Sequence, residues 1–221
     1  WKKVAEFPGT ARKNAVCFTI GDTAYVGTGL DYNESKQDFW MYNAVSNSWT
    51  EMEGFSVNPR TDAVGFTING KGYISGGIDI HDSGTTVLTD IQEYDPKTGQ
   101  WTEKMIDGIN LSKNGASVIA EGEEAYILYG NKSDVISYNP KQNTLSNLGD
   151  ILVFGDNRNN GTAFVLKGIA YFGLGETYGG FDENFFLYYE DNDLVKRLLK
   201  NKNNIYKVPI NYKNLLGSHN S

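Results

Sequence analysis

Four stretches of this 221-residue chain repeat one another at an interval of about 50 residues. They are NAVCFTIGDTAYVGTG (14–29), DAVGFTINGKGYISGG (62–77), GASVIAEGEEAYILYG (115–130) and GTAFVLKGIAYFGLG (161–175). Each is an alternating apolar run, a short turn, and a second apolar run that closes on glycine. Alternation puts every second side chain on one face of a strand. The turns carry Gly21-Asp22, Asn69-Gly70, Glu121-Gly122 and Lys167-Gly168. Such residues supply the positive φ that a two-residue hairpin requires. Each stretch therefore predicts a β-hairpin. The turn glycines 21, 70, 122 and 168 step by 49, 52 and 46, and Tyr25, Tyr73, Tyr126 and Tyr171 step by 48, 53 and 45. A plain β-sandwich accounts for the alternation but not for this period.

A third strand is predicted after three of the hairpins, at DFWMYN (38–43), DIQEYD (90–95) and DVISYN (134–139). Trp49 and Trp101 stand seven residues after Tyr42 and Tyr94, and Leu145 takes that place in the third copy. Trp1 lies 48 residues before Trp49, so it fits the closing strand of a preceding unit. Four short strands per unit of about 50 residues, with the pair Gly76-Gly77, Tyr94 and Trp101, resemble the kelch-repeat family over residues 1–180. Gly27-Thr28-Gly29, Tyr129-Gly130 and Gly173-Leu174-Gly175 are variants of the glycine pair. The resemblance implies an all-β fold: a kelch-type β-propeller, incomplete at about four blades, with the Tyr and Trp packed between neighbouring sheets.

The composition bounds the function. Hydrophobic residues make up 39 % and aromatics 13 %, enough for a packed core rather than a disordered chain. No apolar run is long enough for a membrane-spanning helix. A net charge of −7 without a basic stripe argues against a nucleic-acid partner. The single cysteine, Cys17, excludes an internal disulfide and a cysteine-built metal site. It sits in an alternating apolar strand and is expected to be inert core. The first residue is Trp1 rather than Met, and WKKVAEF lacks the apolar stretch of a signal peptide, so the chain reads as a fragment or a processed product. The compartment is open, with the periplasm or cell surface favoured.

Near Gly180 the character changes. Residues 181–221 hold one glycine, Gly217, against 24 before them, and form a second segment that is not expected to fold independently. Leu194, Val195, Leu198 and Leu199 fall on one helical face. Acids precede them and bases follow, so a helix is predicted over 190–200. FDENFFLYYEDNDLVKRLL (181–199), followed by IYKVPI (205–210) and Ser218-His219, resembles the acidic motif of the family 2 inverting glycosyltransferases, which use nucleotide sugars. The resemblance implies Asp191 as general base on an acceptor hydroxyl. Glu190 and Asp193 would place it at the helix start, and His219 would contact either the donor's diphosphate or a residue that touches it. That family's nucleotide-binding half is a βαβ arrangement ending in a metal-binding acidic pair, and residues 1–180 show no such pattern. The tail is therefore expected to transfer no sugar by itself. NFFLYY (184–189) also lies in register with DFWMYN, since Tyr171 to Tyr188 spans 17 residues as Tyr25 to Tyr42 does. It suits a third strand of the fourth unit equally well.

One set of charges repeats with the units. Arg12, Arg60, Lys113 and Arg158 lie 9 or 10 residues before their turn glycines, at one level of each first strand. If they converge at one mouth they form a ring that attracts carboxylates or phosphates. The alternative is that each is tied to backbone or to an acid such as Asp31, Asp79 or Glu176. His81 has Asp79 and Asp82 beside it, too few ligands for a metal site. No metal or cofactor is expected. The reading is a non-catalytic binding or scaffold module that takes protein, carbohydrate or anionic ligands at its loop faces. Kelch-like bacterial proteins also include small enzymes acting on sugars, among them a sialic-acid mutarotase, so the resemblance does not separate binding from catalysis.

Overall fold

The structure is a computed structural model of the chain. It describes residues 2–52, 57–104, 111, 114–130, 134–150, 159–166, 169–173, 176–177 and 180–181. The first unit holds β1 (Val16–Ile20), β2 (Thr23–Gly27), β3 (Leu30–Asp31), β4 (Glu34–Ser35), β5 (Phe39–Asn43) and β6 (Ser48–Glu51). The second holds β7 (Val64–Ile68), β8 (Lys71–Ser75), β9 (Ile78–His81), β10 (Gly84–Val87), β11 (Ile91–Asp95) and β12 (Gln100–Lys104). The third holds β13 (Ala116–Glu121), β14 (Glu124–Tyr129), β15 (Asp134–Asn139) and β16 (Thr144–Asp150). The fourth holds β17 (Thr162–Leu166), β18 (Ile169–Gly173), β19 (Glu176–Thr177) and β20 (Gly180–Phe181). No helix occurs among the described residues.

Each of the first three units is a separate four-stranded antiparallel meander, ordered β1-β2-β5-β6, β7-β8-β11-β12 and β13-β14-β15-β16. β17 and β18 pair as the hairpin of the fourth. All four hairpins and the three third strands lie where the alternation puts them. One turn differs. Glu121 pairs with Glu124, so the third loop is Gly122-Glu123 rather than Glu121-Gly122. The strand runs one residue further because Glu121, exposed, costs nothing at its end. In the second loop Asn69 and Gly70 both have positive φ, 51° and 73°, as the tight turn demands.

The first strands gather together: β1 touches β7, β7 touches β13 and β13 touches β17. Where they begin, Asn14, Asp62, Gly115 and Asn160 all have positive φ, between 54° and 64°. Backbone hydrogen bonds link them from unit to unit. Asp62 N donates to Asn14 O (3.4 Å), Gly115 N to Asp62 O (2.8 Å) and Asn160 N to Gly115 O (2.7 Å).

The core lies between sheets. Val16, Phe18, Tyr25 and Phe39 of the first sheet meet Ile74, Tyr94 and Trp101 of the second. Gly65 and Gly72 make room for this, since a Cβ on either would run into Val16 or the Phe18 ring. Phe66 and Tyr73 of the second sheet likewise meet Ala125, Ile127 and Tyr138 of the third. Tyr25, Tyr73, Tyr94, Tyr138 and Trp101 thus serve as inter-sheet packing, with Tyr25–Tyr94 centroids 5.4 Å apart and Tyr73–Tyr138 centroids 5.8 Å apart. Cys17 is a correction. It is exposed rather than core, because it lies on the face of β1 opposite Val16 and Phe18.

Candidate ligand-binding face

In the first three units a glycine just past the second strand meets the chain entering its own unit. A Cβ on Gly29 would stand 2.8 Å from Lys13 O, on Gly77 2.6 Å from Thr61 O, and on Gly130 2.7 Å from Asn114 O. The contact always falls sixteen residues upstream. All three glycines have positive φ, 94°, 88° and 85°, so the turn and the close approach both call for glycine. Beyond them the chain leaves the sheet as a ribbon, β3–β4 in the first unit and β9–β10 in the second, before it returns as the third strand.

Arg12 and Arg60 stand at the base of these ribbons. Arg12 Nη1 donates to Thr28 O (3.1 Å) and Asp38 Oδ1 (2.5 Å), Nη2 to Asp38 Oδ2 (2.8 Å) and Thr10 Oγ1 (3.2 Å), and Nε to Thr10 O (3.0 Å). Arg60 repeats the pattern. Its Nη1 donates to Gly76 O (3.2 Å) and Asp90 Oδ1 (2.9 Å), Nη2 to Asp90 Oδ2 (2.8 Å) and Nε to Asn58 O (3.3 Å). The Arg60 side chain is 0 % exposed and that of Arg12 5 %. Each arginine therefore joins three things: the chain entering the unit, the end of its second strand and the start of its third. All five N–H groups of Arg12 are used. Lys113 and Arg158, the other members of the sequence set, lie outside the described residues.

The aspartates that take the arginines are Asp38 and Asp90. Asp31, considered from sequence, pairs instead with Lys36 at 2.8 Å. The signal for the true partners was present: DFWMYN, DIQEYD and DVISYN each open on aspartate. Burial pushes the Asp90 carboxyl up, but the Arg60 guanidinium and Gln92 outweigh it, and it titrates below its ordinary value. The same balance, with Arg12 and the Trp40 N–H, lowers Asp38. A depressed carboxylate contributes stability that is present above its unfolded value of about 3.9 and disappears as pH falls through the folded value. The urea midpoint is therefore expected to be flat from pH 6 to about 4 and to drop below that. Asp90→Asn should flatten the drop, and an equally steep drop in that variant would remove the pair as its cause.

The ribbons themselves are braced. Ser35 Oγ accepts from Ile80 N (2.8 Å) and so ties the first ribbon to the second. Tyr32, at the tip of the first, is 100 % exposed, and the whole of β10 is exposed. His81 shares a hydrogen bond with Ser83 Oγ (2.8 Å). Among the described residues no group of three or more His, Cys, Asp or Glu is placed to hold a metal, and no helix is long and apolar enough to cross a membrane. Asp191, Glu190, Asp193, His219 and the helix predicted over 190–200 lie outside the described residues.

No family model and no curated protein matches the chain. Solved structures do. The structure of YjhT aligns with a TM-score of 0.68 at 21 % identity, over 80 % of this chain and 63 % of that one. The fold is similar to that of YjhT. This chain spans less than two thirds of that structure, so the likeness concerns the shared sheets alone.

Proposed function

We propose that the chain is part of a kelch-type β-propeller, with about four blades in residues 1–180, and works as a non-catalytic binding module. Its ligand is a protein or a carbohydrate, received at the face from which the ribbons emerge. The observation that carries this reading is the pair of braced ribbons raised on buried Arg–Asp pairs, with Tyr32 wholly exposed at a tip. A rigid frame that presents variable loops is the usual way such folds bind, and an exposed tyrosine offers a flat apolar ring with a polar end. Anion binding by the repeated cations would rest on Lys113 and Arg158, since aspartates hold Arg12 and Arg60.

The test is a screen of the chain against an array of neutral and acidic glycans and a panel of immobilised proteins, followed by titration of any hit. Tyr32→Ala is expected to weaken a genuine ligand by about tenfold or more without lowering Tm. Retained affinity in Tyr32→Ala and in a variant whose 79–86 ribbon is cut to a short turn would remove this face as the site. The tail's motif supports a second reading as a glycosyltransferase segment with Asp191 as base. Donor hydrolysis across nucleotide sugars with manganese, abolished by Asp191→Asn, would establish it.

A further inference from the structure

The second ribbon is tied down along one edge only. Ile80 N donates to Ser35 Oγ (2.8 Å), and Ile78 exchanges two backbone hydrogen bonds with Thr61, at 2.8 and 2.9 Å. The N–H groups of Ile78 and Ile80 therefore point away from β10, which fixes the pattern of the ribbon. Asp79 with Thr86 and His81 with Gly84 are its hydrogen-bonded pairs, and Ile78 with Val87 and Ile80 with Thr85 are the alternate ones. The N–H and C=O groups of Thr85 and Val87 consequently point outward from β10. Among the described residues none of these four groups has a partner. β10 is the strand away from the first ribbon, since β4 touches β9. In the third unit four residues join β14 to β15, against fifteen between β8 and β11, too few to form a ribbon that covers β10. Edge strands are commonly blunted by lysine, proline or a bulge. β10 reads GTTV, is exposed throughout and keeps an unbroken register with β9.

We propose that β10 takes an extended segment of a partner protein as a third, antiparallel strand, an inference that deepens the ribbon-face reading above and rests on it. A two-stranded ribbon is marginal by itself, so an added strand also stabilises it. Main-chain hydrogen bonds supply the affinity of such pairing, and alternate side chains supply the specificity. Two partner residues, two positions apart, exchange both bonds with Thr85 and Val87. Their side chains share the face of Thr85, Val87, Ile80 and Ile78, which suits β-branched residues. The residue between them lies on the other face, beside Thr86 and in line with Asp79. No Lys or Arg stands between Lys71 and Lys97, and among the described residues neither Asp79 nor Asp82 has a partner. The middle residue is therefore basic, and an arginine is long enough to pass the short Thr86 side chain. The segment that fits is an arginine between two β-branched residues.

The probe is a dye-labelled seven-residue peptide with Val-Arg-Val at its centre and Ser and Thr on either side, titrated by fluorescence anisotropy at low salt. Saturable binding is expected. Methylating the backbone nitrogens of both valines should weaken it at least about tenfold. Glutamate in place of the peptide's arginine should weaken it about fivefold, less so at high salt. Val87→Pro removes an outward N–H and none from the β9–β10 ladder, so Tm should hold while affinity falls about tenfold. The methylated peptide leaves the protein untouched and decides the matter if Val87→Pro unfolds. No saturation by about 1 mM, or equal affinity for the methylated peptide, would overturn the proposal. So would self-association in sedimentation that Val87→Pro abolishes, which assigns the edge to a second copy. Trimming the 79–86 ribbon separates the two readings. A glycan or protein hit that disappears on trimming, with no binding of the peptide, sinks the added strand alone. Hits and peptide binding that survive trimming sink the ribbon face and the added strand together.

Discussion

Arg60→Ala is expected to cost about 3–5 kcal/mol of folding stability, the range for leaving one partner of a buried ion pair alone. The change strands the Asp90 carboxylate, frees the carbonyls of Gly76 and Asn58, and opens a cavity where a fully buried side chain stood. Against a total of about 5–15 kcal/mol for a typical domain, the loss is large enough to leave part of the chain unfolded at 37 °C. The contrast is Lys3→Ala, which breaks an ion pair whose partners are 81 % and 79 % exposed. It should shift stability by no more than about 0.5 kcal/mol. Urea titration of both variants decides the matter, and a cost for Arg60→Ala below about 1 kcal/mol would mean that the pair is structurally idle.

Gly77→Ala is the second large effect. Its Cβ would stand 2.6 Å from Thr61 O and 2.9 Å from Ala63 Cβ at φ 88°. Thr61 cannot yield, because it exchanges two backbone hydrogen bonds with Ile78, at 2.8 and 2.9 Å. Strain and overpacking together predict a cost of about 2–4 kcal/mol. Gly70→Ala, at φ 73° with nothing within 4 Å, carries the strain alone and should cost about 1–2 kcal/mol. Equal costs at the two positions, measured by urea denaturation, would show that conformation rather than proximity decides both.

The strands were legible because their signals are local. Alternation, turn glycines and the tyrosines of the second strand lie within a few residues of the elements they specify, so the hairpins and third strands could be placed from the repeat. Cys17 was misread because alternation tells that a strand has two faces and not which of them a neighbour covers. The apolar phase of β1 has Val16 and Phe18 on one side and Cys17 on the other, and only the position of the first sheet in the series separates them. The partners of Arg12 and Arg60 were missed for a different reason. Asp38 is 26 residues from Arg12, whereas Asp90 is 30 from Arg60. A search at fixed spacing does not see the two as one device, although both aspartates open the third-strand motif.

That difference in spacing has a consequence of its own. The same bidentate geometry closes over a short ribbon in the first unit and a longer one in the second. The pair therefore works as a socket: whatever length of chain leaves between the second and third strands, its two ends return to the same place. Lengthening a loop whose ends are already held adds little entropic cost, roughly 0.6 kcal/mol per doubling. Ribbons can then be exchanged, extended or trimmed without disturbing the sheets beneath. In such a molecule the surface offered to the outside world can change quickly while the interior stays fixed.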